Sequence, residues 1–476
     1  MNSTKNTQAY FFTIILTLGL CFLIYLNSNA KIAKKLTENG LSFIGISDIV
    51  TSQKQLFGHK EKALGVEVTK SKSPENKLVS KIPLTKKEKE EISKLIKDIE
   101  LLSFQNEKDN MLASFFETLT ESEKKRFRIW YYGDSQIEGD RITSEIRALF
   151  QEQFGGNGIG FVPVSNPATY TKLTLGEQSD WKKLNCFKDK KKGKYFDVSG
   201  LAFIPKDNSE TKFNTLKINV SKSLKYQSLL FLMRCDSGSN LQWKKSSATD
   251  WNAPISIKKI SDQSIYTLSN TPETGNIEIR VKGKNIVAYG FYLEGEPKGV
   301  QLDNFGIRGH SGDGLSNIPS TLLNERSKID QTSLVIFHYG NNVVPYLKSD
   351  KGSKHWFERI FQGMLSKYKK NCPNVSLLVI GPGDMGYKSG DELHTYSSAS
   401  ILNEWMKELS LKNGVAYFDF YTLMQREGGI LAWKEKGLAS LDGHLTTSGQ
   451  KKFAKIVTKE LSTAYSAYQI GKDKKQ

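Results

Sequence analysis

Cysteine is the scarcest informative residue in this 476-residue chain, with only four. Cys21, Cys186, Cys235 and Cys372 are widely scattered, so neither a metal spacing nor a disulfide framework can be read from them. Histidine is nearly as rare, at six, and His59, His310, His338, His355 and His394 show no paired metal spacing. Each of these reads as a surface or packing residue, and no metal or cofactor is expected. Acidic residues are outnumbered, 50 against 68 Lys and Arg, for a formal charge of +18. Long apolar runs are missing except for one, Tyr10 to Leu26.

Enough apolar material is present for real cores, with 38% hydrophobic and 11% aromatic residues, which excludes a disordered chain. The run "YFFTIILTLGLCFLIYL" is uncharged and just reaches the length of a bilayer-crossing helix, roughly 17 to 25 residues. Ser28-Asn29-Ala30 and Lys5 supply a signal-peptide alternative, but signal apolar regions are shorter, roughly 7 to 15 residues. Residues 1–30 are therefore expected to be a membrane anchor, with Lys31, Lys34 and Lys35 at its far end. The lysines peak at "KKLNCFKDKKKGK", Lys182 to Lys194, and in the tail "GKDKKQ". Such charge suits an acidic polymer or a lipid surface. The pattern is diffuse and carries no nucleic-acid motif, so it reads first as a solvated face, and no nucleic-acid partner is expected.

Residues 31–125 are lysine- and glutamate-rich, and helical periodicity begins only at "LTKKEKEEISKLIKDIELLSF". We read 31–83 as a polar stalk and 84–125 as a helical lead-in. Beyond it, short apolar runs end in glycine or polar turns: "RIWYYGDS", "VQLDNFGIRG", "SLVIFHYGNN", "VSLLVIGPGD" and "VAYFDF". Amphipathic stretches such as "RITSEIRALFQEQF" and "WFERIFQGMLSKYKK" separate most of them, the pattern of a parallel sheet covered on both faces. An α/β doubly wound domain is expected over 126–168 and 299–470. Between them the period changes. "TLKINVS", "SLLFLMR", "SIYTLSN", "NIEIRVKG" and "NIVAYGFYLEG" mark an antiparallel β-sandwich inserted at 169–298. "GGNGIG", Gly155 to Gly160, follows a helix rather than a strand, so it reads as a turn close to the active site instead of a dinucleotide loop.

In open parallel sheets ligands bind beyond the carboxyl ends of the strands. Gly133-Asp134-Ser135 alone is a good turn sequence. Three further segments stand at comparable places: Asn304 to Gly309, Gly340-Asn341-Asn342, and His444 with Asp442. Together they supply what acyl transfer requires: a hydroxyl nucleophile, a base of near-neutral pKa, an orienting acid and oxyanion donors. Ser311, beside His310, reads as a loop residue, and no Gly-x-Ser-x-Gly elbow surrounds Ser135.

These four segments, in this order, resemble the four blocks of the SGNH/GDSL hydrolase family. The resemblance implies a flavodoxin-like doubly wound parallel sheet of five strands. It assigns Ser135 as nucleophile, His444 as general base and Asp442 as its orienter, with the Ser135 amide, the Gly309 amide and the Asn342 side chain as oxyanion hole. The family usually places the acid three residues before the histidine. Here that position is Leu441 and Asp442 lies two before, so a Ser-His dyad aided by a backbone carbonyl is the alternative to a triad.

The stretch "GDSQIEGDRITSEIRALFQEQFGGNGIGFVP" resembles bacterial peptidoglycan O-acetylesterases and their acetyltransferase relatives, which carry an inserted carbohydrate-binding-like sandwich. Trp243 and Trp251 of the inserted module are candidates for stacking on sugar rings or for its core. The resemblance implies a membrane-anchored esterase, facing the periplasm or the outside, that removes acetyl groups from an envelope polysaccharide. The alternatives are an O-acetyltransferase fed by a membrane-bound O-acyltransferase and a non-catalytic carbohydrate-binding protein.

Overall fold

The computed structural model describes residues 85–472, apart from 106–109, 258–262, 348–350 and a few isolated positions between 167 and 208. The apolar run at 10–26 and the stalk at 31–83 lie outside the described residues. Among the described residues no helix is long and apolar enough to cross a membrane.

Five strands form the central sheet: β1 (Arg126–Gly133), β2 (Gly299–Gly306), β3 (Thr332–His338), β4 (Ser376–Ile380) and β5 (Ala416–Phe418). Their spatial order is β2-β1-β3-β4-β5 and every pairing among them is parallel. This is the doubly wound order whose switch point lies between the first and third strands. The 84–125 segment is not wholly helical. Helices Lys86–Lys97 and Ala113–Leu119 flank a two-residue strand, Leu102–Ser103, that adds antiparallel to β5 as a sixth strand.

The strands are apolar on both sides because both sides are covered. In β1, Trp130 and Tyr132 enter one buried cluster while Phe127, Ile129 and Tyr131 enter the other. Residues of β3 and β4 divide the same way, Val335 and Val379 against Ile336 and Leu378. Helices α1 (Arg141–Phe154) and α5 (Thr447–Lys472) cover the second face with Ile146, Phe150, Phe453 and Val457. The first is covered by α2 (Ser320–Ile329), α3 (Lys351–Asn371) and α4 (Ser398–Lys412) through Leu323, Leu365, Tyr368 and Leu402.

Between α1 and β2 the chain builds two antiparallel sheets. One centres on Asn214–Val220 and Gly275–Lys282, the other on Ser228–Arg234 and Val287–Glu294. Alternate residues, Leu216, Ile218 and Val220 with Ile277, Ile279 and Val281, enter the same apolar cluster as Phe231 and Phe291 of the other sheet. The antiparallel part begins before residue 169. Within "GGNGIG" the chain already enters strand Gly158–Pro163, which pairs with Val287–Glu294. The segment is therefore not a turn beside the active site. A Cβ on Gly156 would meet Val300 at 2.7 Å, and Val300 begins β2, whereas the candidate site lies beyond the other end of that strand. Close backbone approach, not ligand binding, accounts for these glycines.

A buried ion cluster ties the insertion to the sheet. Arg128 of β1 bonds Glu294 of the insertion and Asp303 of β2, the latter at 3.0 Å, while the Phe161 amide donates to Asp303 at 2.9 Å.

Candidate active site

Gly133 pairs with both Gly306 and His338, so β1, β2 and β3 end level and their following loops converge. Glycine is required there: a Cβ on Gly133 would lie 2.9 Å from Ile137 and 3.1 Å from the His338 carbonyl. Asp134 then shapes the turn, its Oδ1 accepting from the Gln136 amide at 2.9 Å and its carbonyl from the Glu138 amide at 3.2 Å. The chain reverses into α1 through Asp140, which holds a left-handed φ of 64°. That conformation is fixed by Arg147, whose guanidinium meets both Asp140 oxygens at 2.7 Å, and by the Thr143 hydroxyl at 2.7 Å. Ser135 is left half-buried at the tip of the turn.

Opposite it stands the loop before α5. Ser135 Oγ lies 2.7 Å from His444 Nε2, and His444 Nδ1 lies 2.9 Å from Asp442 Oδ2. Both are within proton-transfer reach. The two-residue spacing works because Gly443 takes φ 84°, which folds the Asp442 carboxylate back onto the ring. Asp442 Oδ1 also accepts from the Ser440 hydroxyl at 2.5 Å and the His444 amide at 3.3 Å. Partial burial pushes this carboxyl up, but Ser440 and the charge and donors of His444 outweigh it and hold it below its ordinary range. Among the described residues the Asp442 carboxylate, rather than a backbone carbonyl, is the group hydrogen-bonded to His444 Nδ1.

Gln136 has no counterpart in the residues singled out from the sequence. Its buried amide donates from Nε2 to the Gly443 carbonyl at 2.7 Å and accepts at Oε1 from the Leu445 amide at 3.3 Å. These residues flank His444, so one side chain straps the imidazole's loop to the serine's loop. Its position directly after Ser135 is the one sequence signal that points to it.

Among the described residues no hydrogen bond engages the amides of Ser135 or Gly309. Asn342 is brought to the same place but is already occupied: its Nδ2 donates to Asp134 Oδ2 at 2.8 Å and to the His310 carbonyl at 3.2 Å. Burial pushes the Asp134 carboxyl up to about 6, against the Gln136 amide, the His444 charge and Asn342.

Among the described residues the other histidines do not join this group. His310 is buried, its Nδ1 3.2 Å from the Tyr339 hydroxyl and its Nε2 accepting from the Gly314 amide at 3.1 Å. His338 is buried against Phe453. Burial lowers them to about 4 and about 3, so both stay neutral packing groups. His394 is half-buried on a hairpin beside Tyr387, and His59 lies outside the described residues. Trp243 packs partly against the core, and Trp251 carries the Arg280 guanidinium 4.1 Å from its ring centre, so neither presents a bare ring.

No family profile and no curated protein sequence matches the chain. Among solved structures, a peptidoglycan O-acetylesterase superposes with a TM-score of 0.57 at 16% identity, covering 77% of this chain and 99% of its own. The chain has that esterase's fold. An acetyl xylan esterase matches 33% of this chain and 79% of its own, at 19% identity and a TM-score of 0.25. A putative GDSL-like lipase from Parabacteroides merdae matches 35% and 73%, at 17% identity and a TM-score of 0.25. The fold shared with the O-acetylesterase does not choose a substrate.

Proposed function

We propose that this protein is a serine esterase of the SGNH/GDSL type that removes O-acetyl groups from a cell-envelope polysaccharide, with residues 1–30 as its membrane anchor. The observation that carries the proposal is the continuous relay from Ser135 Oγ through the His444 ring to Asp442, at 2.7 and 2.9 Å. Ser135 Oγ attacks the acetyl carbonyl carbon as His444 Nε2 takes its proton. The tetrahedral intermediate collapses when His444 returns that proton to the sugar oxygen, and the deacetylated hydroxyl leaves. Water, deprotonated by the same imidazole, then attacks the acetyl-serine, and the imidazolium returns the proton to Ser135 Oγ as acetate is released.

The Ser135 and Gly309 amides are the open oxyanion donors. Asn342 has two amide hydrogens and two acceptors, so it serves the oxyanion only by giving up the longer contact, to His310. Hydrolysis is favoured over transfer to a second sugar by solvent access, since the side chains of His444 and Asp442 are 37% and 62% exposed. An acetyl-enzyme beside so open a base meets water readily.

The test is hydrolysis of 4-nitrophenyl acetate by the full-length chain in non-ionic detergent. Ser135→Ala and His444→Ala are each expected to lower kcat/KM at least about a thousandfold. An inert parent, or equal rates in all three proteins, refutes the reading.

A further inference from the structure

We propose that the candidate site takes an anionic polysaccharide, recognised by a cationic rim that the inserted module presses against the loop after β2. The role of the rim in substrate choice rests on the esterase reading, but its observations are independent of the triad. Between Lys182 and Lys194 the chain has seven lysines and one aspartate. The run starts on strand Trp181–Asn185 and ends in a short helical turn, Lys190–Tyr195. Sequence alone makes this a solvated face; the fold gives it an address.

Four contacts hold the run against the loop at 308–317. The Phe187 ring stacks on His310 with centres 5.3 Å apart and planes 20° apart. A Cβ on Gly314 would fall 2.7 Å from Phe187 Cβ, and Asn317 Nδ2 donates to the Cys186 carbonyl at 2.8 Å. Lys190 Nζ lies 3.3 Å from Asp313 Oδ2. His310 directly follows Gly309, and its carbonyl accepts from Asn342. Phe187, and Lys188 after it, are therefore one ring away from the oxyanion donors, and Lys182, Lys188, Lys190, Lys191 and Lys192 are exposed.

Arg308 adds to the rim beside Lys183. Its Nε donates to Glu138 Oε2 at 2.7 Å; Glu138 is buried three residues past Ser135, while the arginine side chain is 58% exposed. Among the described residues only the Nε is engaged, which leaves the terminal nitrogens to form a planar fork for a carboxylate or phosphate. The Lys183 side chain reaches solvent, yet its ammonium is held below the ordinary range, first by the protein around it, with Glu138 pulling up and Arg308 and Lys188 pushing down. These cations thus sense one another.

Few acids neutralise the group: Glu138 engages the Arg308 Nε, Asp189 is turned to the Asn185 amide at 2.9 Å and Asp313 is shared with Lys190. Clustered like charges repel, and a bound polyanion relieves that repulsion. A lipid surface fits less well, because no exposed large apolar side chain is found in the run among the described residues. A glycan strand bearing acids along its length meets both the fork and the lysines while its acetyl ester enters beside Ser135.

The test is affinity electrophoresis of the full-length chain in non-ionic detergent, through gels carrying O-acetylated alginate or neutral O-acetylated glucomannan. Retardation by alginate alone is expected, weakening about tenfold as salt rises from roughly 50 to 500 mM. The triple variant Lys188→Glu, Lys191→Glu, Lys192→Glu should lose that retardation while keeping the parent's far-ultraviolet circular dichroism. If that variant does not fold, Lys188→Gln with Lys191→Gln is read instead, with a partial loss expected. Equal retardation by both polymers, or retardation insensitive to salt or to these substitutions, overturns the proposal. So does preference for detergent micelles doped with phosphatidylglycerol over alginate, which would make the rim a lipid contact. A parent inert toward the small ester would end the esterase reading, and the gel would still decide on the rim.

Discussion

At the residue scale, the weakest-looking member of the site and its least conspicuous one make separable predictions. Asp442 Oδ2 lies 2.9 Å from His444 Nδ1, but its side chain is 62% exposed, so water can replace part of its effect. Asp442→Asn should lower kcat by about a hundredfold, well short of the loss from His444→Ala, in steady-state assays with a small acetyl ester. A loss equal to that of His444→Ala would mean that the carboxylate does more than orient the ring. Gln136 touches no reacting atom, and its two bonds to Gly443 and Leu445 make it a positioning residue. Gln136→Ala should cut kcat about ten- to a hundredfold with KM unchanged, since loosened reacting geometry costs rate rather than binding. Gln136→Glu keeps the acceptor for Leu445 but sets a buried carboxylate against the Gly443 carbonyl, and should lose at least as much as Gln136→Ala. Unchanged kcat in both variants would make the strap merely structural.

At the scale of elements, the insertion is joined to β1 and β2 by charge as well as by apolar packing. Arg128 is buried between Glu294 and Asp303, and burial of the guanidinium is opposed by those two carboxylates, which hold its proton firmly. Replacing it with an apolar side chain of similar length leaves Asp303 buried without its paired cation, while Glu294 keeps Arg126 at 2.6 Å. Arg128→Met should therefore destabilise the fold by about 3–5 kcal/mol, measured by urea unfolding. Restoration by a second change, Asp303→Asn, would identify the stranded charge as the cause.

At the scale of the whole molecule, buried acids make stability depend on pH in a direction opposite to ordinary acid denaturation. Asp197 lies fully buried in the insertion, where burial pushes its carboxyl up to about 7 despite donors from Ser199 and Leu201. An unfolded aspartate ionises near 3.8, so the folded chain holds this proton more tightly. The contribution to stability is present below that value and is lost as pH rises through about 7. Asp197→Asn should raise Tm most above pH 7, the gain shrinking on acidification and vanishing near pH 4, as scanning calorimetry across that range would measure. A gain independent of pH would mean that the carboxyl is not the titrating group.

Much of the architecture was legible before folding because its signals are local. Runs such as "SLVIFHYGNN" are apolar on both sides because both sheet faces are covered, and Leu216, Ile218 and Val220 alternate because only one face of their strand is buried. The order of Ser135, Gly309, Asn342 and His444 along the chain was readable for the same reason: each follows a strand or closes the last loop. Other features depend on partners hundreds of residues away. The strand Leu102–Ser103 is too short to show a period and exists only because β5 offers an edge. Gln136 acquires its role from the loop around His444, and Asn342 is found donating to Asp134 and His310, which no local pattern announces. Residue order alone carries the strand and helix periods, the chemical groups at the strand ends and the excess of lysine. Which of those groups touch is settled in three dimensions, because distance in space between residues such as Phe187 and His310 is set by long-range packing that no window of sequence contains.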